Sequence, residues 1–221
     1  MRRFLATLFC LLAALLTVPA YGQSPGILYD NGLPCPGYCH DGWQINDGFV
    51  VTDTFYVNTN VRVSGFDFWV WEFPGDRVLR VQWSISSEPF GGTIYGRGTT
   101  LTHDVFQGQN EYGYDIDKVT ITGLNIALPR GTYWLTLQNV VDEQRDPVYW
   151  DENSGEYCRS LGCPSSAYEN QLGTIPSETF DIRGVHQPGA DQPTSAPAPH
   201  KNLLWGTTLL GLVVSLRRFV A

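Results

Sequence analysis

No cluster of lysine or arginine interrupts the chain between Gln23 and His200. All 22 aspartates and glutamates fall within that stretch, against 9 of the 14 basic residues; the other five basic residues flank the apolar ends. A body so short of positive charge has no patch to neutralise phosphates, which argues against nucleic acid as a partner and against docking on an anionic lipid face. Also missing is any middle segment of about a dozen residues with the 3.6-residue apolar period and capping of a helix. The familiar reaction motifs are absent as well. There is no G-x-S-x-G, no H-E-x-x-H and no phosphate-cradling glycine loop, since Gly91-Gly92 is followed by no helix start. His40, His103, His186 and His200 are scattered, and no Asn-x-Ser/Thr sequon occurs. These absences leave no expected cofactor other than a structural calcium ion.

What the sequence does contain is strand after strand. In RVLRVQWSIS, Val81, Trp83 and Ile85 fall on one parity and Arg80, Gln82 and Ser84 on the other. In GTYWLTLQN, Tyr133, Leu135 and Leu137 share a face opposite Trp134, Thr136 and Gln138. KVTITGLNIAL and GFVVTDTFYV continue the style, while VRVSGFDFWVWEF is apolar on both parities and reads as a strand covered on both sides or displaying aromatics. Turn signals recur at Asn58-Thr59-Asn60, Pro74-Gly75-Asp76, Gly91-Gly92, Pro129-Arg130-Gly131 and Asn153-Ser154-Gly155. The pattern predicts an all-β domain, an antiparallel β-sandwich of the jelly-roll kind, with about eight to ten short strands.

The two ends differ from the middle. Arg2-Arg3, the apolar run FLATLFCLLAALLTV and the small-residue exit Pro19-Ala20-Tyr21-Gly22 describe a secretory signal helix over residues 1–22. A β domain is expected over 23–183 and a proline-rich linker over 184–200, too poor in apolar residues to bury a core. Residues 201–221 carry LLWGTTLLGLVVSL between Lys201 and Arg217-Arg218. That run is short for a bilayer, but snorkelling by the flanking basic residues and Trp205 at the interface make a thin transmembrane helix workable, with the β domain outside the cytoplasm. An exported chain favours oxidised thiols. Once Cys10 departs with the signal, Cys35, Cys39, Cys158 and Cys163 read as disulfide cysteines rather than as a zinc site. Two local clips and two bridges between the loops remain equally open.

The proline linker, apolar run and terminal arginine pair together resemble the PEP-CTERM sorting signal of Gram-negative bacteria. Here Pro197-Ala198-Pro199 stands where the family has Pro-Glu-Pro, and Arg217 and Arg218 form the basic end. The segments ILYDNG, FWVWEFPGD, VQWSIS, EYGYDID, GTYWLTLQN and DPVYWDENSG are similar to those of uncharacterised exported proteins with such tails. The resemblance implies recognition by an exosortase-type sorting peptidase and release or anchoring at the cell surface. It implies no reaction.

Three groups of residues are candidates for a site. In PVYWDENSGEYC, Tyr149, Trp150, Asp151, Glu152 and Asn153 have the mix of aromatics, acids and amide that grips sugars. On a strand Asp151 and Glu152 point to opposite faces, so a glycoside hydrolase built on either needs a second acid from another strand. The expected role of this segment is a strand end running into a crosslinked loop, with ligand binding next and catalysis last. Asp115 and Asp117 in EYGYDID share one strand face and suit a hard cation, without the D-x-D-x-D-G loop of a dedicated site. Trp134 and one of Trp69 and Trp71 lie on the less apolar parity and are the better exposed aromatics for stacking on a pyranose. The expected function is a non-catalytic structural or binding module of the cell surface, with extracellular polysaccharide as the leading ligand and a polysaccharide-active enzyme using Asp151 or Glu152 as the alternative.

Overall fold

The structure is a computed structural model that describes residues 24–34, 41–153 and 158–187. The expected signal segment, Cys35, Cys39 and the tail with Pro197, Pro199, Arg217 and Arg218 lie outside the described residues. The first seven strands are β1 (Gly26–Asp30), β2 (Gly42–Gln44), β3 (Val50–Val57), β4 (Val61–Glu72), β5 (Val78–Glu88), β6 (Gly91–Leu101) and β7 (His103–Gln109). Seven more follow: β8 (Asp115–Leu128), β9 (Gly131–Asp142), β10 (Tyr149–Asn153), β11 (Ala167–Glu169), β12 (Gly173–Ile175), β13 (Ser177–Glu178) and β14 (Phe180–His186). No helix occurs among the described residues. The strands outnumber the expectation because short pieces such as β2, β11, β12 and β13 carry too few residues to show a period of two.

The strands form two antiparallel sheets in a β-sandwich-like arrangement. In the larger sheet β4 is the spine. One of its edges pairs with β8 along the whole strand, from Val61↔Leu128 to Glu72↔Asp115. Its other edge is shared: β14 takes Val61 to Phe68, and β10 takes Val70 and Trp71. β1 flanks β14, β2 and β13 flank β10, and β7 flanks β8. The smaller sheet runs β12-β11-β3-β9-β5-β6.

The core forms where alternation turns one parity of each sheet inward. Phe66, Phe68, Val70, Val119 and Ile121 come from the larger sheet, and Val81, Trp83, Ile85, Tyr133, Leu135 and Leu137 from the smaller. Phe66 meets Trp83 edge-on at 5.6 Å between ring centroids, joining the sheets. The apolar parities expected for β5 and β9 are therefore the buried ones. β4 is covered on both sides, with Trp69 and Trp71 on its outer parity only 4% and 6% exposed.

The last strand runs past the expected boundary at residue 183. Gly184, Val185 and His186 pair with Val63, Arg62 and Val61, and the His186 ring hydrogen-bonds Thr59 Oγ1 at 2.8 Å. Gly184 allows this pairing, because a Cβ there would overlap the Arg62 carbonyl. His186 thus belongs to the domain and not to the linker. Of the two disulfide arrangements, Cys158 joins Cys163 as a local clip just beyond β10.

Candidate functional site

The β7–β8 turn is shaped by Asn110. Its side-chain oxygen accepts from the backbone N–H groups of Tyr112 and Tyr114, both at 3.0 Å, and Gly113 sits at φ 83°. An Asx turn of this kind fixes a tight loop without neighbours. The result is that Tyr112 and Tyr114 are held against the end of β4. Tyr114 stacks on Trp71 at 6.2 Å with 22° between planes, and Phe73 meets Tyr114 edge-on at 5.2 Å. Tyr112 lies 6.0 Å from Trp71, and Tyr149 6.0 Å from Tyr114. Cross-strand register explains the grouping: Trp71 opposes Tyr149 on one side and Ile116 on the other, so these side chains share the outer face of the larger sheet. Tyr112 is 56% and Phe73 41% exposed, while Trp71 forms the floor.

Of the residues expected to hold a ligand, Trp71, Tyr149 and Asp151 come together, Tyr149 across the strand pair and Asp151 against the Trp71 indole. Trp69 lies beneath the Lys118 ammonium at 5.1 Å, beside a cavity of about 320 Å³ bordered by Leu33, Pro34 and Gln109. Trp134 is half-buried against Tyr168 on the smaller sheet, with ring centroids 5.4 Å apart. The structure corrects the expectation that one of Trp69 and Trp71 is exposed, since both are buried. Trp150 is wholly buried and donates its indole N–H to the Thr179 carbonyl at 2.9 Å. Asp151 and Asn153 are interior too, and Asn153 donates to the Asn31 carbonyl. Glu152 is half-buried and opposes Glu178 across β10 and β13. YWDEN is therefore a buried strand in which Tyr149 joins the outer patch and Asp151 lies beneath it against Trp71. Burial pushes the Asp151 carboxyl up to about 8, with the Trp71 indole opposing the rise and the Glu152 and Glu111 charges adding to it. Phe73, Tyr112 and Tyr114 are the residues that sequence reasoning missed. The tyrosines of EYGYDID were the available signal, hidden because only the fold brings them to Trp71.

Behind the patch, on the inner parity, lies an acidic mouth between the sheets. Glu72 opposes Asp115, Asp117 opposes Val70, and Asp104 opposes Val119, all at positions that alternation directs inward. Carboxylate oxygens of Glu72, Asp104 and Asp117 lie within 4.8 Å of one another. Glu72 is 1% exposed, and neither of its oxygens has a hydrogen-bond partner among the described residues. Burial pushes its carboxyl up to about 9, assisted by the charges of Asp117, Asp104, Asp142 and Asp76. Burial, then Asp104 and Asp115, raise Asp117 to about 6.

Asp115 has a different task from Asp117. Its oxygens accept from Gly75 N at 2.9 Å and Gln109 Nε2 at 2.8 Å, tying the β4–β5 turn to β8. The expected Asp115/Asp117 pair thus gives way to a trio in which only Asp117 remains. A second group, Asp76, Asp142 and Asp146, gathers nearby, with Asp142 also accepting from Asp146 N at 3.0 Å. No basic side chain forms an ion pair with either group among the described residues; Lys118 and Arg183 both pair with Asp67. A cavity of about 250 Å³ opens onto Asp76, Asp104, Asp115 and Asp117. Compared with known proteins, the chain matches no family model and no curated protein.

Proposed function

We propose that this chain is an exported, cell-surface-associated binding module of jelly-roll type that takes carbohydrate on its aromatic patch. The observation that carries the reading is the grouping of exposed Phe73 and Tyr112 with half-buried Tyr114 over Trp71 on the outer sheet face. Flat rings with polar tips suit the apolar faces and hydroxyls of a pyranose. The acidic composition, with a formal net charge of −8, favours a neutral polysaccharide over an anionic one. Export and anchoring rest on the terminal segments: a signal-like start, a proline-rich linker and an apolar run closed by Arg217-Arg218, which an exosortase-type peptidase would read. Such a module needs no reaction centre. A glycoside hydrolase using Asp151 or Glu152 gains nothing from the geometry, because Asp151 is 1% exposed and Glu152 lies on the opposite parity.

A glycan array probed with the full-length chain tests the proposal. Binding of one or more neutral glycans is expected, with a loss of about tenfold or more, some 1.4 kcal/mol, in the double variant Tyr112→Ala/Tyr114→Ala. Undiminished binding by that variant, or an array with no bound glycan, would remove the patch as a sugar site.

A further inference from the structure

We propose that Glu72, Asp104 and Asp117 bind a calcium ion between the two sheets. The first observation is the gathering itself: three carboxylate oxygens from three strands within 4.8 Å of one another. Two ligands of one calcium ion stand at most about 4.6–5.2 Å apart, so this gathering lies within the reach of a single ion, and magnesium, which sheds its waters reluctantly, suits an all-protein carboxylate cluster less well. The second observation is independent of the clustering. Glu72 is 1% exposed with both oxygens unpartnered among the described residues, at a position where β4 otherwise alternates Phe66, Phe68 and Val70 into the core. A buried carboxylate without donors is among the costliest arrangements a fold can hold, and a cation is the partner that resolves it.

The surroundings fit a hard ion. All three ligands of the trio are carboxylate oxygens, which suits calcium better than softer metals. Asp104 keeps one oxygen on the Val78 N–H at 3.2 Å, so its carboxylate is already oriented. The cavity of about 250 Å³ on Asp104 and Asp117 gives the ion a way in and room for the waters that complete its shell. Asp115, hydrogen-bonded through both oxygens, positions the turn without ligating.

The test uses the purified full-length chain, stripped with a chelator and titrated with calcium chloride by calorimetry and thermal melting. Saturable heat is expected, with a rise in Tm of about 5 °C or more at a hundredfold excess over Kd. Magnesium at equal concentration should give a clearly smaller rise. Glu72→Gln should abolish the calcium response while leaving the calcium-free Tm equal or higher, because a neutral amide of the same size fills a place where burial disfavours an ionised carboxylate. Asp104→Asn, on the open wall of the cavity, should weaken calcium binding at least tenfold and serves where Glu72→Gln does not fold. Identical melting in calcium and chelator, an equal response to magnesium, or full calcium binding by the Asp104→Asn variant would each overturn the assignment.

Discussion

Tyr149 and Trp150 are neighbours with opposite fates. Tyr149 joins the outer aromatic patch, while Trp150 packs edge-on against Phe68 at 6.3 Å and Phe180 at 5.8 Å. A strand turns successive side chains to opposite faces, so the chemistry of a residue matters less here than its parity. Trp150 fills the junction of β10, β4 and the Thr179 carbonyl, and no smaller side chain would do both. Trp150→Ala is expected to lose about 3–5 kcal/mol, read as a lowered midpoint in urea with an unchanged slope. Tyr149→Ala, at a half-buried surface position, should cost markedly less in the same measurement.

At the level of elements, β4 does two jobs. Its inner parity builds the core and ends in Glu72, and its outer parity ends in Trp71, so one strand end supplies both the acidic mouth and the floor of the patch. The strand can carry both only if its pairing with β8 stays in register. Between Val63 and Gly65 that pairing slips by a bulge, and a Cβ on Gly65 would overlap the Ile121 backbone oxygen. Bulges re-aim a strand, and the glycine permits the close approach. Gly65→Ala is expected to cost about 1–3 kcal/mol by forcing the strands apart, measurable by thermal melting. Calcium affinity should fall with it, since Glu72 and Asp117 are on the two strands that separate.

Over the whole molecule, the unusual property is buried acid without base. Apart from the mouth, Asp53, Asp151 and Glu178 lie inside, each 1% exposed or less. Asp53 accepts from the backbone N–H groups of Thr54 and Glu178 and from Ser177, yet burial still pushes it up to about 7. Glu178 is raised well above its usual range by burial, then by Asp53, Glu152 and Asp151. The other groups facing the three are Glu111, Asn31, Ser165 and the Trp71 indole, and no ion pair reaches any of them among the described residues. The folded chain thus holds protons that the unfolded chain, titrating near pH 4, has released. Stability from these groups is complete below about pH 4 and is lost as pH rises through about 7 to 8. Tm measured in saturating calcium is expected to fall between pH 5 and pH 8, and Glu178→Gln should flatten that fall. A Tm that rises over this interval would contradict the buried-acid account.

The all-β class and the parity of β5 and β9 were legible because each rests on an alternation of two within one segment, whereas β4, apolar on both parities, left open whether its aromatics were covered or displayed. Legible too was the fate of PVYWDENSGEYC, a strand end followed by a disulfide-closed loop. The partners of Trp71 and Glu72 were not legible. The patch joins residues 71, 73, 112, 114 and 149, and the acidic trio joins 72, 104 and 117. Local periodicity shows which way a side chain points, but only long-range strand pairing decides what stands opposite it. An aspartate on the inward parity looks like a solvated charge in the sequence, and tertiary packing is what takes its water away.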